Sequence, residues 1–171
     1  MSLASRPSPP ALILIMGVAG SGKTTVGRQL AATLGWEYRE ADDFHSAANK
    51  EKMGRGVPLT DPDRAPWLAA IRAAMEADVA AGRRAVFTCS ALKAAYRHVL
   101  LDGLPGVALV HLTGDPALLL SRIQGRAGHY MKPGMLDSQL AILEPPADAL
   151  TLEISRPPAE LVAGIRTSLR L

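Results

Sequence analysis

The chain holds one cysteine, Cys89, in 171 residues. That excludes an internal disulfide and suits a reducing compartment, so the expected location is the cytoplasm. No apolar run approaches the length of a membrane span, about 20 residues. No proline-rich or Gly/Ser-rich linker interrupts the middle of the chain, and no internal repeat is visible. Charge of one sign is not concentrated. The balance of 19 Lys and Arg against 16 Asp and Glu leaves +3, and only Arg83-Arg84 are adjacent. No aromatic-rich basic stripe accompanies them. This balance argues against a nucleic-acid partner and suits an enzyme with anionic ligands.

Apolar residues make up 48% of the chain, enough for one domain with a real core. Residues 1–10, with three prolines and three serines, read as a disordered leader, and 11–171 as a single domain. Strand and helix signals then alternate to the end. Strands are expected over Ala11–Met16, Glu37–Ala41, Ala85–Cys89, Val107–Leu112 and Ala149–Ile154. Helices are expected over Thr25–Leu34, Ser46–Met53, Asp63–Ala81, Ala91–Leu101, Asp115–Ile123, Leu136–Leu143 and after Pro157-Pro158. In the long third helix, Leu68, Ile71, Met75 and Val79 recur at helical spacing, and Gly82 closes it. Asp61 or Asp63 reads as its cap, with proline in the first turn. The alternation predicts an α/β fold, a five-stranded parallel sheet with helices on both faces. Ligands of such sheets sit at the carboxyl ends of the strands.

Gly17-Val18-Ala19-Gly20-Ser21-Gly22-Lys23-Thr24 fits the phosphate-binding pattern G-x-x-x-x-G-K-[ST] at every fixed position. Its setting also fits, because an apolar strand precedes it and a helix follows. Backbone N–H groups and the helix dipole at such a turn favour anionic oxygens. Lys23 reaches the outer phosphates, Thr24 places its hydroxyl on Mg²⁺, and Thr25 adjoins the site. The second strand ends in Glu40-Ala41-Asp42-Asp43-Phe44-His45. Residues two apart on a strand share a face, so Glu40 and Asp42 are expected to point together toward the same rim. A kinase needs a carboxylate near the acceptor hydroxyl and others to hold Mg²⁺-bound water. Helix-start chemistry does not explain Arg64, which could bind an anionic acceptor, and Lys93, after the third strand, would face a site that gathers negative charge, whereas Cys89 reads as buried core. Arg122 and Arg126 lie four apart and share a face if their helix persists. With His129 and Lys132 they flank a polar, glycine-containing segment, about 125–134, that reads as a mobile lid.

These motifs together resemble the bacterial-type gluconokinase family, in the shikimate-kinase-like group of P-loop small-molecule kinases. The resemblance runs from Leu12 to about Leu169. Beyond the P-loop it rests on Glu40–His45, Asn49–Met53, Gly56–Asp61, Asp63-Arg64-Ala65-Pro66-Trp67-Leu68 and Cys89-Ser90-Ala91-Leu92-Lys93. Tyr96-Arg97, Gly128–Met131 and Gln139–Pro146 complete it. Departures are small: Ala41 stands where the family usually has Gly, Ser46 where it has Pro, and Tyr130 where it has Phe. Shikimate kinases carry Gly-Gly-Gly where Cys89-Ser90-Ala91 stands here. An intact Lys23, Thr24 and Asp42 also speak against a non-catalytic nucleotide-binding regulator.

The resemblance implies a three-layer P-loop kinase fold, a homodimer, and ATP-dependent phosphorylation of D-gluconate at its 6-hydroxyl. It implies that Asp42 orients or deprotonates that hydroxyl and that Glu40 holds a Mg²⁺-bound water. Lys23, Asp42 and Arg126 would then be catalytic. Arg64 and Lys93 would meet gluconate, whose carboxylate needs a cation, with His45 and His129 nearby. Arg122 would flank adenine, Arg126 would meet the phosphates, and the loop at Pro157 would lie beside the base.

Overall fold

The computed structural model describes residues 8–125 and 133–171. Among them one sheet is present, built from β1 (Leu12–Met16), β2 (Glu37–Glu40), β3 (Ala85–Cys89), β4 (Val107–Thr113) and β5 (Leu150–Glu153). The strand order is β2-β3-β1-β4-β5. Every pairing is parallel. Seven helices flank it: α1 (Lys23–Leu34), α2 (Ala47–Gly54), α3 (Asp61–Ala80), α4 (Ala94–Leu101), α5 (Pro116–Gln124), α6 (Pro133–Ile142) and α7 (Pro158–Leu169).

The central strand shows why this sequence makes three layers. Every residue of β1 is buried. Ile13 and Ile15 face one core with Val26 and Leu30 of α1, Leu119 of α5 and Ile165 of α7. Leu12, Leu14 and Met16 face the other, with Trp67, Ile71 and Met75 of α3 and Leu100 of α4. Side chains alternate along a strand, so a strand covered on both faces has to be apolar throughout. β2 is one of the two edge strands, and its polar composition reflects that. Arg39 of β2 reaches back to Asp78 of α3 with two hydrogen bonds, 2.9 and 3.0 Å, and Arg83 adds a third at 2.8 Å. Asp78 is 1% exposed, so only this pairing makes its charge tolerable there.

Three of the boundaries that differ from the sequence reading bear on the site. β2 stops at Glu40, and Ala41–Phe44 form a 3₁₀ turn. Asp42 therefore reaches the site from that turn, not from strand alternation with Glu40. α3 begins at Asp61, two residues early, because Thr60 caps it. The Asp63 carboxylate accepts from the Thr60 N–H at 2.8 Å, and the Asp63 N–H donates to the Thr60 hydroxyl at 3.3 Å. Pro66 then lies inside the helix. α4 begins at Ala94, because Ala91 sits at φ 45°, a left-handed conformation that no right-handed helix contains.

Two helical glycines should respond oppositely to the same change. A Cβ on Gly27 of α1 would lie 2.5 Å from Thr88 Cγ2 and 3.0 Å from Tyr38 Cε2. Gly164 of α7 has only Leu152 Cδ2 nearby, at 3.9 Å. Gly27→Ala should lose about 1–2 kcal/mol, since crowding outweighs the gain in helix propensity. Gly164→Ala should gain about 0.5–1 kcal/mol. Urea unfolding of the two variants measures both signs.

Candidate active site

The loop from Gly17 to Gly22 joins the carboxyl end of β1 to the first turn of α1. Its glycines are required by space and conformation. A Cβ on Gly17 would meet Ser21 Oγ at 2.6 Å and the Leu112 carbonyl at 2.8 Å. Gly20 and Gly22 sit at φ 79° and 83°, which suits glycine. Val18 is core, 3% exposed, so it shapes the loop from beneath. The Ser21 hydroxyl is buried and has no hydrogen-bond partner among the described residues.

Beside this loop the Glu40 carboxylate gathers three hydroxyls. Thr24 Oγ1 donates to Oε2 at 2.9 Å, the Tyr38 phenol to Oε2 at 2.6 Å, and Thr88 Oγ1 to Oε1 at 2.9 Å. Burial, and then Glu40 itself, push the Tyr38 phenol up to about 12, so it stays a donor. Three elements thus converge on one anion next to the loop. Thr24 and Glu40 form an oxygen-only donor pair, the chemistry a hard cation such as Mg²⁺ takes. No group of three or more His, Cys, Asp or Glu is poised to hold a metal among the described residues. Such an ion would therefore draw most of its ligands from phosphate and water.

A cavity of about 610 Å³ opens from the loop. Lys23, Thr24 and Asp42 line it, and so do His45, Arg64 and Lys93. Of the expected acceptor residues, all four that are described therefore share one chamber with the P-loop. His45 stacks on Trp67, ring centroids 4.2 Å apart, and Trp67 Nε1 donates to the Ala41 carbonyl at 2.7 Å. Lys93 Nζ bonds both oxygens of Asp61 at 3.0 Å. Tyr96 donates its phenol proton to Asp61, and Arg64 Nη1 donates to the Tyr96 oxygen at 3.1 Å. The Tyr96 bond first, then Lys93, hold the Asp61 carboxyl below its usual range. Asp61 was expected to be a possible cap. The capping is done by Thr60 and Asp63, which leaves Asp61 to organise the two cations.

A second hollow of about 350 Å³ lies on the other side of Gly22, lined by Ser21, Thr25, Arg122, Arg156 and Pro158. Arg122 is held there by a 2.7 Å bond to the Ile154 carbonyl. Pro157 caps α7 and is not among the lining residues, though both its neighbours are. The described part of α5 ends at Gln124, and the face expected to be shared by Arg122 and Arg126 lies partly outside the described residues. Arg126, His129 and Lys132 lie outside the described residues, and so does most of the expected lid. Gly134 belongs to α6. Cys89 is core as expected, and burial pushes its thiol up to about 12.

The family model described as an AAA domain matches residues 12–146. A "Gluconokinase" of Gluconobacter oxydans (strain 621H) is 50% identical, covering 81% of this chain and 78% of its own length. A "Probable gluconokinase" of Rattus norvegicus is 40% identical over 94% and 98% of the two chains. The crystal structure of a gluconokinase from Sinorhizobium meliloti 1021 superposes with a TM-score of 0.84 at 39% identity, over 96% of this chain and 94% of that one. The chain belongs to the gluconokinase family.

Within this gluconokinase-family site, sequence reasoning missed Asp61, Tyr96 and Gln139. Asp61 and Arg64 are three apart at a helix start, and Lys93 and Tyr96 are three apart at another. That spacing was the available signal. Gln139 gave none, for its contact is with Ala19, 120 residues away.

His45 generates a pH prediction. Its ring is buried and its Nδ1 has no partner among the described residues. Burial foremost, with Arg64 and Lys50, holds it below its ordinary 6.5, against the opposing pull of Asp42. The unfolded chain therefore takes up the proton first as pH falls. Folded-state stability should drop as pH falls below 6.5, levelling once the folded imidazole also protonates. Imidazole NMR titration should give His45 a midpoint below 6.5, and a midpoint at or above 6.5 would contradict the burial argument.

Proposed function

We propose that this chain transfers the terminal phosphoryl group of ATP to the 6-hydroxyl of D-gluconate, giving 6-phospho-D-gluconate and ADP. The observation that carries this reading is the shared chamber. One cavity contains the phosphate-binding lysine Lys23, the carboxylate Asp42 and the paired cations Arg64 and Lys93. Asp61 offsets one of the two cations, so a neutral sugar would leave one positive charge unbalanced there, whereas a sugar acid balances it. The family membership of the chain supports the same choice.

In this reading Asp42 accepts the proton of the 6-hydroxyl as O6 attacks the γ-phosphorus. The bond from that phosphorus to the β–γ bridging oxygen breaks, and its electron pair leaves with ADP. Lys23 and the loop N–H groups stabilise the charge that spreads over the transferring oxygens. Arg64 and Lys93 hold the carboxylate end, and His45 faces the hydroxyls. Thr24 would hold Mg²⁺ directly and Glu40 through a water. When bound, the ion neutralises charge on the β- and γ-phosphoryl oxygens. Arg122, Arg156 and Pro158 suit the base end of the nucleotide, and Arg126 and His129 remain proposed site residues. By the same resemblance we assign the chain to the cytoplasm and to a homodimer.

An ADP-release assay with gluconate, glucose, shikimate, AMP and no acceptor tests this directly. Gluconate should give turnover far above the others, and equal rates with glucose would refute the reading. Lys23→Ala should nearly abolish turnover. Asp42→Asn should lower kcat by roughly 10²-fold or more, the scale of a lost general base, with little change in ATP affinity. A folded Asp42→Asn variant with parent-like kcat would remove Asp42 from its role.

A further inference from the structure

The Gln139 side chain makes one hydrogen bond among the described residues, and the bond fixes which way its amide faces. Its Oε1 accepts from the Ala19 N–H of the phosphate-binding loop at 2.7 Å. A backbone N–H can only donate, so the amide oxygen must be the atom turned toward Ala19. Oxygen and nitrogen sit on the same carbon. The –NH2 group is therefore held beside the loop and turned away from Ala19. Gln139 lines the main cavity together with Lys23 and Asp42. The two amide hydrogens have no hydrogen-bond acceptor among the described residues.

The helix that carries Gln139 is held firmly. Met135, Ser138, Gln139 and Ile142 recur at helical spacing and form the cavity face of α6. Just past its end, the Glu144 N–H donates to the Leu92 carbonyl at 2.9 Å, and the Glu144 carboxylate accepts from the Ala94 N–H at 2.6 Å. Arg97, 8% exposed, donates to the carbonyls of Ala91, Leu92 and Glu144. α6 is thus tied to the segment between β3 and α4 at one end and to the phosphate loop through Gln139. A donor pair fixed this way costs little further ordering when an anion arrives.

We propose that Gln139 is a catalytic residue whose Nε2 donates to the oxygens of the γ-phosphoryl group. This rests on the reading of the cavity as the site of an ATP-dependent kinase. Oε1 keeps the loop N–H of Ala19 satisfied, and Nε2 adds two neutral donors to the charge that Lys23 supplies. The ligand is defined by its chemistry, a terminal phosphoryl group absent from ADP.

The test compares two nucleotides, so it needs no acceptor. Binding of a non-hydrolysable ATP analogue and of ADP, each with Mg²⁺, is measured calorimetrically for the parent and Gln139→Glu. Glutamate keeps the acceptor for Ala19 and the length, loses both donors and adds a negative charge. The ATP analogue should bind about tenfold or more weakly, a cost of one close charge interaction, while ADP stays within about twofold. Equal losses for both nucleotides would show that Gln139 only shapes the loop, and no loss for either would show that Nε2 meets no phosphoryl oxygen. Each of these results overturns the proposal. If Gln139→Glu melts below the assay temperature, Gln139→Met is read by the same comparison. A larger loss for the ATP analogue than for ADP supports the proposal, and equal values refute it. Acceptor turnover by the parent is a separate measurement, so failure of the gluconate assignment leaves this result readable.

Discussion

The Glu40 carboxylate is the constraint on which the site's geometry depends. It ends the edge strand β2 and accepts from Thr24 of α1, Tyr38 of its own strand and Thr88 of β3. The Tyr38 and Thr88 oxygens also lie 2.9 Å apart, so either hydroxyl can turn its one proton from Glu40 to the other. The three hydroxyls and two carboxylate oxygens satisfy one another, which is the condition for placing an anion in a partly buried position. The result fixes the first turn of the P-loop helix relative to two strands. It also puts a negative charge next to the Thr24 hydroxyl, a pair of oxygen donors that would suit a hard cation. Gly27 belongs to the same unit, since the absence of its side chain is what lets α1 lie against Tyr38 and Thr88.

From that anchor the cavity is organised by charge. The loop end offers backbone N–H groups and Lys23. The other end, where the proposed function seats the acceptor, offers Arg64 and Lys93, arranged by Asp61 and Tyr96. Two cations and one carboxylate leave one net positive charge there, which matches an acceptor carrying a single carboxylate. Trp67 and the buried His45 form an apolar wall beside them. Such a wall lowers the local dielectric and strengthens each polar contact in the chamber.

Much of this was legible in the sequence because it is encoded locally. The P-loop pattern and the apolar run before it placed β1 to within one residue and α1 to within two, with the turn between them. β3 was read to the residue as Ala85–Cys89, since a strand buried on both faces needs an unbroken small and apolar run. Asp42, His45, Arg64 and Lys93 were named, and the structure gathers them in one cavity. The errors arise where a local rule met a competing one. Strand alternation was extended past Glu40, but the chain turns into a 3₁₀ segment there. The long helix was read as starting at Asp63, but the Thr60–Asp63 capping box sets its start at Asp61. What stayed illegible depends on contacts between distant segments. The grip of Asp61 on Lys93 spans 32 residues, and Gln139 on Ala19 spans 120. No periodicity or motif in one segment reports such pairs.

The central claim is that one chamber binds the sugar acid in a single direction, carboxylate at the cations and terminal hydroxyl at Asp42. A crystal structure with Mg²⁺, a non-hydrolysable ATP analogue and D-gluconate tests that claim most directly. The account predicts the gluconate carboxylate within hydrogen-bond distance of Arg64 or Lys93, and O6 in hydrogen-bond contact with Asp42, facing the γ-phosphoryl group. A gluconate bound in reverse, with its carboxylate beside Asp42 and O6 beside Lys93, would contradict it.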